Sequence, residues 1–244
     1  MKPIIGITSY NLNKTKDIIG LSEDYLIAIE KSNGLPLVLP INLNRNIIKE
    51  FVSLVDGLLL SGGSKFSINK KDLLSGKLPN LEKQDPIRYN FEEELIKFAL
   101  KKNMPLLGIC RGNQMIGEFF GAKLFLNLYK RKNHLEHFQW KKRFQPVHYV
   151  SINPNTIIGD IFKKNRVKVN STHRQGLIKV PSSLKIAAIS DDGVIEAIES
   201  RNHNFVLGIQ FHAERLIAEY PIFQKIFDKF VEASIKYKKS KTRE

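Results

Sequence analysis

Four short apolar runs, at residues 4–7, 36–39, 57–60 and 105–109, recur through the N-terminal half, each followed by helical material or a loop leading to it. Runs this brief and this continuously apolar are of the kind that become parallel strands buried on both faces. The segments between them read as helices. Residues 23–32 run into Asn33-Gly34, a C-terminal stop, and residues 46–55 and 90–102 carry apolar side chains at three-and-four spacing. This β-α-β-α order predicts an α/β fold with an open, mostly parallel central sheet flanked by helices.

After about Phe125 the rhythm changes to strand-like segments at 148–152, 167–170, 185–189, 194–199 and 205–211, which predicts additional antiparallel strands in the C-terminal half. Helix returns from about Tyr220, with Ile222, Phe223, Ile226, Phe227, Phe230 and Val231 on one face. No internal repeat or Pro- or Gly/Ser-rich linker divides the chain, so a single domain is expected over 1–235, followed by a basic, frayed tail at 236–244. Residues 64–88 and 129–145 read as irregular loops, the place where a rigid sheet usually meets its substrate.

The chain has 244 residues, 42% of them hydrophobic, enough to bury a core without disulfides. Its one cysteine, Cys110, can form no intramolecular bridge, which points to a reducing compartment and a cytoplasmic protein. The opening apolar run is too brief for a signal segment, and no stretch approaches a membrane-spanning length. Lysine and arginine exceed acidic residues by a formal charge of +15, which can attract nucleic acid, an anionic surface or an acidic substrate. Neither an aromatic-studded RNA motif nor zinc-finger spacing accompanies that charge, so no nucleic-acid or membrane partner is expected.

Chemistry concentrates at Gly108-Ile109-Cys110-Arg111-Gly112-Asn113-Gln114, where a strand gives way to a helix through a Gly-x-Cys-x-Gly turn. This is the form of a nucleophile elbow with sulfur in place of oxygen. The following helix aims N–H groups and a positive dipole end at the thiol, which favours the thiolate. A cysteine nucleophile also needs a base and a group that orients it. Phe205-Val206-Leu207-Gly208-Ile209-Gln210-Phe211-His212-Ala213-Glu214 ends an apolar strand in His-x-Glu, and extended positions i and i+2 project to one side, so Glu214 can reach His212.

Together these blocks resemble the class I glutamine amidotransferase-like superfamily, and within it the γ-glutamyl-γ-aminobutyrate hydrolase-like branch of cysteine peptidases. The same resemblance extends through Lys2-Pro3-Ile4-Ile5-Gly6-Ile7-Thr8, Asp56-Gly57-Leu58-Leu59-Leu60-Ser61-Gly62-Gly63, Val169-Asn170-Ser171-Thr172-His173-Arg174-Gln175-Gly176 and Asp192-Gly193-Val194-Ile195-Glu196-Ala197. It implies a flavodoxin-like glutamine amidotransferase architecture and a Cys110-His212-Glu214 triad that cleaves a γ-glutamyl amide through a glutamyl thioester. It further implies an oxyanion hole from the backbone N–H groups of Gly63 and Arg111, and substrate contacts at Gly62, Gln114, Ser171, Thr172 and His173. The chain departs from the family pattern at Ala213, Arg215, Gly121-Ala122 and Ser64-Lys65-Phe66-Ser67. Those departures fall partly around the pocket rim, so the bond type carries over and the released amine does not.

The alternative enzyme is a glutaminase subunit that delivers ammonia to a synthase partner; the distant alternative is a non-enzymatic anion- or nucleic-acid-binding protein. The small γ-glutamyl substrate is the expected partner, and a homo-oligomer stays open. Lys130, Arg131, Lys132, Lys141, Lys142 and Arg143 flank Trp140 within one loop and suggest recognition of an anionic or aromatic leaving group. His134 and His137, with Glu136 between them, do not match His-Glu-x-x-His and read as surface histidines. No metal and no cofactor is expected.

Overall fold

A computed structural model describes residues 1–12, 18–63 and 80–241 of the chain. Its strands, in chain order, are β1 (Ile4–Thr8), β2 (Tyr10–Asn11), β3 (Ile19–Gly20), β4 (Leu35–Leu39), β5 (Gly57–Leu60), β6 (Leu106–Ile109), β7 (Lys123–Phe125), β8 (His148–Ile152), β9 (Arg166–Val169), β10 (Gly176–Lys179), β11 (Leu184–Ser190), β12 (Ile195–Ser200) and β13 (Val206–Ile209). The helices are α1 (Glu23–Lys31), α2 (Arg45–Leu54), α3 (Leu81–Gln84), α4 (Pro86–Lys101), α5 (Arg111–Phe119), α6 (Ile157–Phe162) and α7 (Gln224–Lys241). Among the described residues the main sheet follows the order β4-β1-β5-β6-β13-β12-β11-β8-β9, with β10 joining β12 to β7. The five strands β4, β1, β5, β6 and β13 are mutually parallel, and the direction alternates from β12 onward.

The parallel strands are apolar throughout because alternate residues serve two different cores. On one side Ile5, Ile7, Leu59, Leu107, Leu207 and Ile209 pack with Tyr25 and Ile29 of α1 and with Phe227, Phe230 and Val231 of α7. On the other, Leu58, Leu60, Leu106 and Val206 meet Ile48 and Val52 of α2, Phe91, Leu95 and Ile96 of α4, and Met115 and Ile116 of α5. The shift of one residue between Leu58 and Leu59 is a shift from one layer to the other.

Two expectations need correction. The segment 64–88 is not irregular to its end: 64–79, including Ser64-Lys65-Phe66-Ser67, lies outside the described residues, but α3 begins after Asn80 and α4 begins at Pro86. The cause is a helix start signal, Asp85 capping with its side chain and Pro86 in the first turn, upstream of the periodic apolar residues. The basic tail is likewise helical as far as Lys241, the last described residue. Its ammonium groups hold it down, since Lys238 donates to the carbonyl of Lys2 at 2.8 Å and lies 3.2 Å from the Asp56 carboxylate, with Lys241 3.9 Å from the same group. Cations in the last turn also suit the negative helix end.

Parallel pairing sets the site. Leu107 aligns with Leu207 and Ile109 with Ile209, while Leu60 aligns with Gly108. The residues that follow β5, β6 and β13 therefore emerge at one edge of the sheet, the carboxyl end where open α/β sheets bind ligands. Those residues are Ser61-Gly62-Gly63, Cys110 and the segment leading to His212.

Candidate active site

Cys110 occupies the cap position before α5 with φ of 53° and ψ of −101°. A non-glycine residue in this region stores on the order of 1–3 kcal/mol and persists only where its surroundings enforce it. Here its N–H donates to the Ile209 carbonyl at 2.8 Å and its own carbonyl accepts from Gln114 N–H at 3.2 Å. The flanking glycines make the bend possible: a Cβ on Gly108 would lie 2.5 Å from the Gly112 carbonyl oxygen. Cys110 remains 9% exposed and lines a cavity of about 980 Å³. The thiol is thus not sealed in the core.

His212 and Glu214 stand beside it. The imidazole Nδ1 lies 2.6 Å from Glu214 Oε1, and both side chains are buried. Burial and the Arg215 guanidinium pull the His212 pKa down, but the negative charges of Glu214 and of the nearby Cys110 sulfur outweigh them and hold it at about 9. Burial raises Glu214, yet the His212 charge and hydrogen bond and the neighbouring Arg215 keep the carboxyl below its usual range. The imidazole is therefore an imidazolium at neutral pH, facing the sulfur.

Gly62 packs against this group, since a Cβ there would lie 2.9 Å from both His212 Cε1 and the Tyr25 hydroxyl. Its N–H donates to that hydroxyl at 2.9 Å. Gly63 and Arg111 line the same cavity as Cys110. The Arg111 N–H belongs to the first turn of α5, whose amides have no partner within the helix. Two donors of this kind can meet a developing oxyanion.

The other anticipated contacts divide. Gln114, Thr172 and His173 line the cavity. Gln114 is largely committed to the protein, donating to the Gln175 carbonyl at 2.9 Å and to Gln210 Oε1 at 3.1 Å. Ser171 departs from expectation: it is fully buried, is not on the cavity wall, and donates to the His137 carbonyl at 2.8 Å. Alternation along an extended segment turns it away from the cavity when Thr172 faces it. Of the six cations around Trp140, only Arg143 lines the cavity; Arg174 and Arg215 join it from elsewhere. Arg143 lies 5.0 Å above the Trp140 ring and Arg215 5.3 Å from it, so guanidinium and aromatic surfaces alternate at this wall.

Several residues here escape sequence reasoning. Arg88 is 1% exposed and donates to the carbonyls of Ser61 and Gly62, each at 2.9 Å, fixing the strand end that leads to Gly63. Glu92 pairs with Arg88 at 2.7 Å and with Arg111, so one buried carboxylate links the support of the Ser61-Gly62 carbonyls to the start of α5. Asn170 holds His212 by a reciprocal pair, accepting from its N–H at 2.8 Å and donating to its carbonyl at 3.0 Å. The i, i+4 spacing of Arg88 and Glu92 was the available signal, obscured by the late placement of the helix start.

His134 is exposed, whereas His137 is buried, contrary to the surface reading. Its Nε2 lies 3.0 Å from Asp192 Oδ2, and its ring packs 5.0 Å from that of His148 and 4.7 Å from that of His173. Burial lowers the pKa of His148, and lowers that of His173 to about 4.

The Peptidase C26 family profile matches residues 3–214. PB2B2.05 of Schizosaccharomyces pombe, which carries a glutamine amidotransferase name, is 36% identical over 214 residues, covering 87% of this chain and 82% of its own. The γ-glutamyl-γ-aminobutyrate hydrolase PuuD of Escherichia coli K12 is 30% identical over 239 residues, covering 95% of this chain and 93% of its own. The glutaminase domain of Trypanosoma brucei CTPS, solved with bound acivicin, superimposes with a TM-score of 0.67 at 16% identity, over 96% of this chain and 94% of that one. The open sheet, the cysteine at its carboxyl edge and a profile match across most of the sequence lead to one assignment: this chain belongs to the Peptidase C26 family.

Proposed function

We propose that the protein hydrolyses γ-glutamyl amide bonds, with Cys110 as nucleophile, His212 as proton shuttle and Glu214 as the group that orients it. Family membership already makes it a glutamine amidotransferase-like hydrolase of amide bonds. The observation that carries the finer reading is the buried imidazolium of His212, hydrogen-bonded to Glu214 at 2.6 Å and facing a cysteine held at positive φ on a cavity wall.

The thiolate sulfur attacks the amide carbonyl carbon, and its electron pair forms the C–S bond while the carbonyl π pair moves to oxygen. The N–H groups of Gly63 and Arg111 stabilise that oxyanion. His212 gives its proton to the departing nitrogen as the C–N bond breaks, leaving a glutamyl thioester and a free amine. The neutral imidazole then takes a proton from water, whose oxygen adds to the thioester carbon. Collapse expels the thiolate, releases glutamate and returns the starting ion pair. No further cofactor enters these steps.

The cavity also suggests the leaving group. Arg143, Arg174 and Arg215 with Trp140 and Phe138 form a cationic, aromatic wall suited to an amine that carries a carboxylate. Release of glutamate from glutamine, γ-glutamyl-γ-aminobutyrate, γ-glutamyl amines, γ-glutamyl peptides and polyglutamates tests the assignment beside Cys110→Ala. The expected result is partner-free hydrolysis of acidic γ-glutamyl amides by the wild type alone. Equal release by both proteins from every compound would remove the proposal. Turnover of glutamine that rises strongly only when a synthase is added would favour the ammonia-delivering alternative.

A further inference from the structure

Behind the His173 wall of the cavity, buried side chains turn their acceptor atoms toward one another. His173 Nδ1 lies 2.9 Å from the Gln175 carbonyl and His148 Nδ1 3.2 Å from the Tyr149 carbonyl. A carbonyl can only accept, so each Nδ1 carries the hydrogen and each Nε2 keeps a lone pair. His137 Nε2 lies 3.0 Å from the Asp192 carboxylate, so in the neutral ring Nε2 carries the hydrogen and Nδ1 the lone pair. Ser171 Oγ, which gives its own hydrogen to the His137 carbonyl at 2.8 Å, lies 3.3 Å from that nitrogen and can only accept from it, so a metal ion at Nδ1 would take the place of a proton there.

These three nitrogens converge on the same buried carboxylate oxygen. Glu196 Oε1 is 3.5 Å from His137 Nδ1, 3.7 Å from His148 Nε2 and 3.5 Å from His173 Nε2. Both Glu196 oxygens and the Nε2 atoms of His148 and His173 have no hydrogen-bond partner among the described residues. Leaving such groups unsatisfied costs about 1–3 kcal/mol each, more for a charge. The spacings are too long for hydrogen bonds. They match the ligand-to-ligand edge of a tetrahedron, about 3.4 Å when metal–ligand bonds are about 2.0–2.1 Å.

We propose that His137, His148 and Glu196 bind a zinc-class divalent metal ion, with the His173 Nε2, 3.5 Å from Glu196 Oε1, beside the same site. The ligand atoms of the first three lie within 4.8 Å of one another. Each histidine already donates its second N–H to a carboxylate or a backbone carbonyl, the arrangement that orients and fixes the tautomer of metal-bound imidazoles. Three protein ligands buried behind the cavity wall, each held by its own hydrogen bonds or packing, describe a structural site, not a catalytic one. The ion would join β8, β12 and the segment holding His137 beside the segment holding Thr172 and His173, bracing one wall of the cavity without touching Cys110. This inference is independent of the γ-glutamyl assignment.

The test is elemental analysis of the tag-free protein as isolated, and again after stripping with a chelator and reloading with zinc. About one zinc per chain is expected for a site of this composition, together with a higher melting temperature in the loaded than in the stripped protein. Glu196→Gln and His148→Asn should lower bound zinc at least tenfold, while Asp192→Asn should weaken zinc affinity about 10–100-fold. Cys110→Ser and the exposed His134→Ala should retain the metal. Cobalt(II) loaded in place of zinc should give the visible spectrum of a tetrahedral nitrogen–oxygen site, a wild-type measurement that stands even if a variant fails to fold. Wild-type protein that takes up no stoichiometric zinc or cobalt, or metal that is lost with Cys110→Ser and kept with Glu196→Gln, overturns the proposal. So does a doubly protonated His137 in the zinc-treated protein, since a proton would then occupy the lone pair required of the metal ligand.

Discussion

Two buried histidine–carboxylate groups lie in the same half of this molecule, and their imidazoles are held in different protonation states. At the sheet edge His212 touches Glu214 at 2.6 Å and stays protonated to about pH 9. In the neighbouring cluster His173 stands 3.5 Å from Glu196, beyond hydrogen-bond reach, and burial drives it down to about 4. Residue types and burial are alike; the direct hydrogen bond and the facing sulfur are not. Contact with a charged partner decides whether a buried imidazole serves as an acid or presents a lone pair.

The largest expected effect separates the two groups outright. Cys110→Ala should abolish glutamate release from every γ-glutamyl amide while leaving the His137 and His148 resonances unmoved; a shift of those two would show that the groups are coupled beyond the charge that His212 places on His173. Next, Glu214→Gln should lower kcat by up to about 10⁴-fold, as loss of the orienting carboxylate does in related triads. It should also move the alkaline limb of the pH–rate profile down from about 9, because Glu214 is the foremost of the groups that raise His212. An unmoved limb would assign that titration to another group.

A third, smaller change concerns the support beneath the Ser61-Gly62-Gly63 segment. Arg88→Met leaves the Ser61 and Gly62 carbonyls without their donor and takes one partner from Glu92. Breaking a buried ion pair costs about 3–5 kcal/mol, read as a lower urea midpoint, with kcat falling more than KM rises if Gly63 shifts. Fourth, pH should act on the two histidines in opposite directions. His212 is raised above its ordinary 6.5, so its stabilisation is full below that value and is lost as pH rises through about 9. His173 is lowered, so in chelator-treated protein stability falls as pH drops from 6.5 toward about 4. Melting temperatures across both ranges check this, and a flat acid side would remove His173 from the account. The smallest effect is at the cavity wall, where Arg143→Glu should raise KM for acidic substrates severalfold and leave kcat nearly unchanged.

The parallel sheet was legible because its strands serve two cores at once, so their apolar runs are continuous and their order follows from the helices between them. Cys110, His212 and Glu214 were legible because each elbow or strand end is local: a turn of five residues and an i, i+2 pair. What was hidden depends on distant partners. His137 reads as a surface residue from its polar loop, and only the return of β8 and β12 brings His148 and Glu196 to it. Arg88 reads as loop because Asp85 and Pro86 start its helix before the apolar periodicity becomes visible. The small β7 and β10 were missed for the same reason, since three- and four-residue strands gain their definition from each other.

The last described strand, β13, does not lie at the sheet's rim but between β6 and β12. During synthesis the ribosome must therefore deliver the polypeptide through Ile209 before that slot can be filled, and until then two interior strands present unpaired edges. The imidazole travels with the strand that fills it. A nascent or prematurely terminated chain is accordingly both sticky and chemically idle, and chaperone demand should peak just before residue 206 clears the exit tunnel.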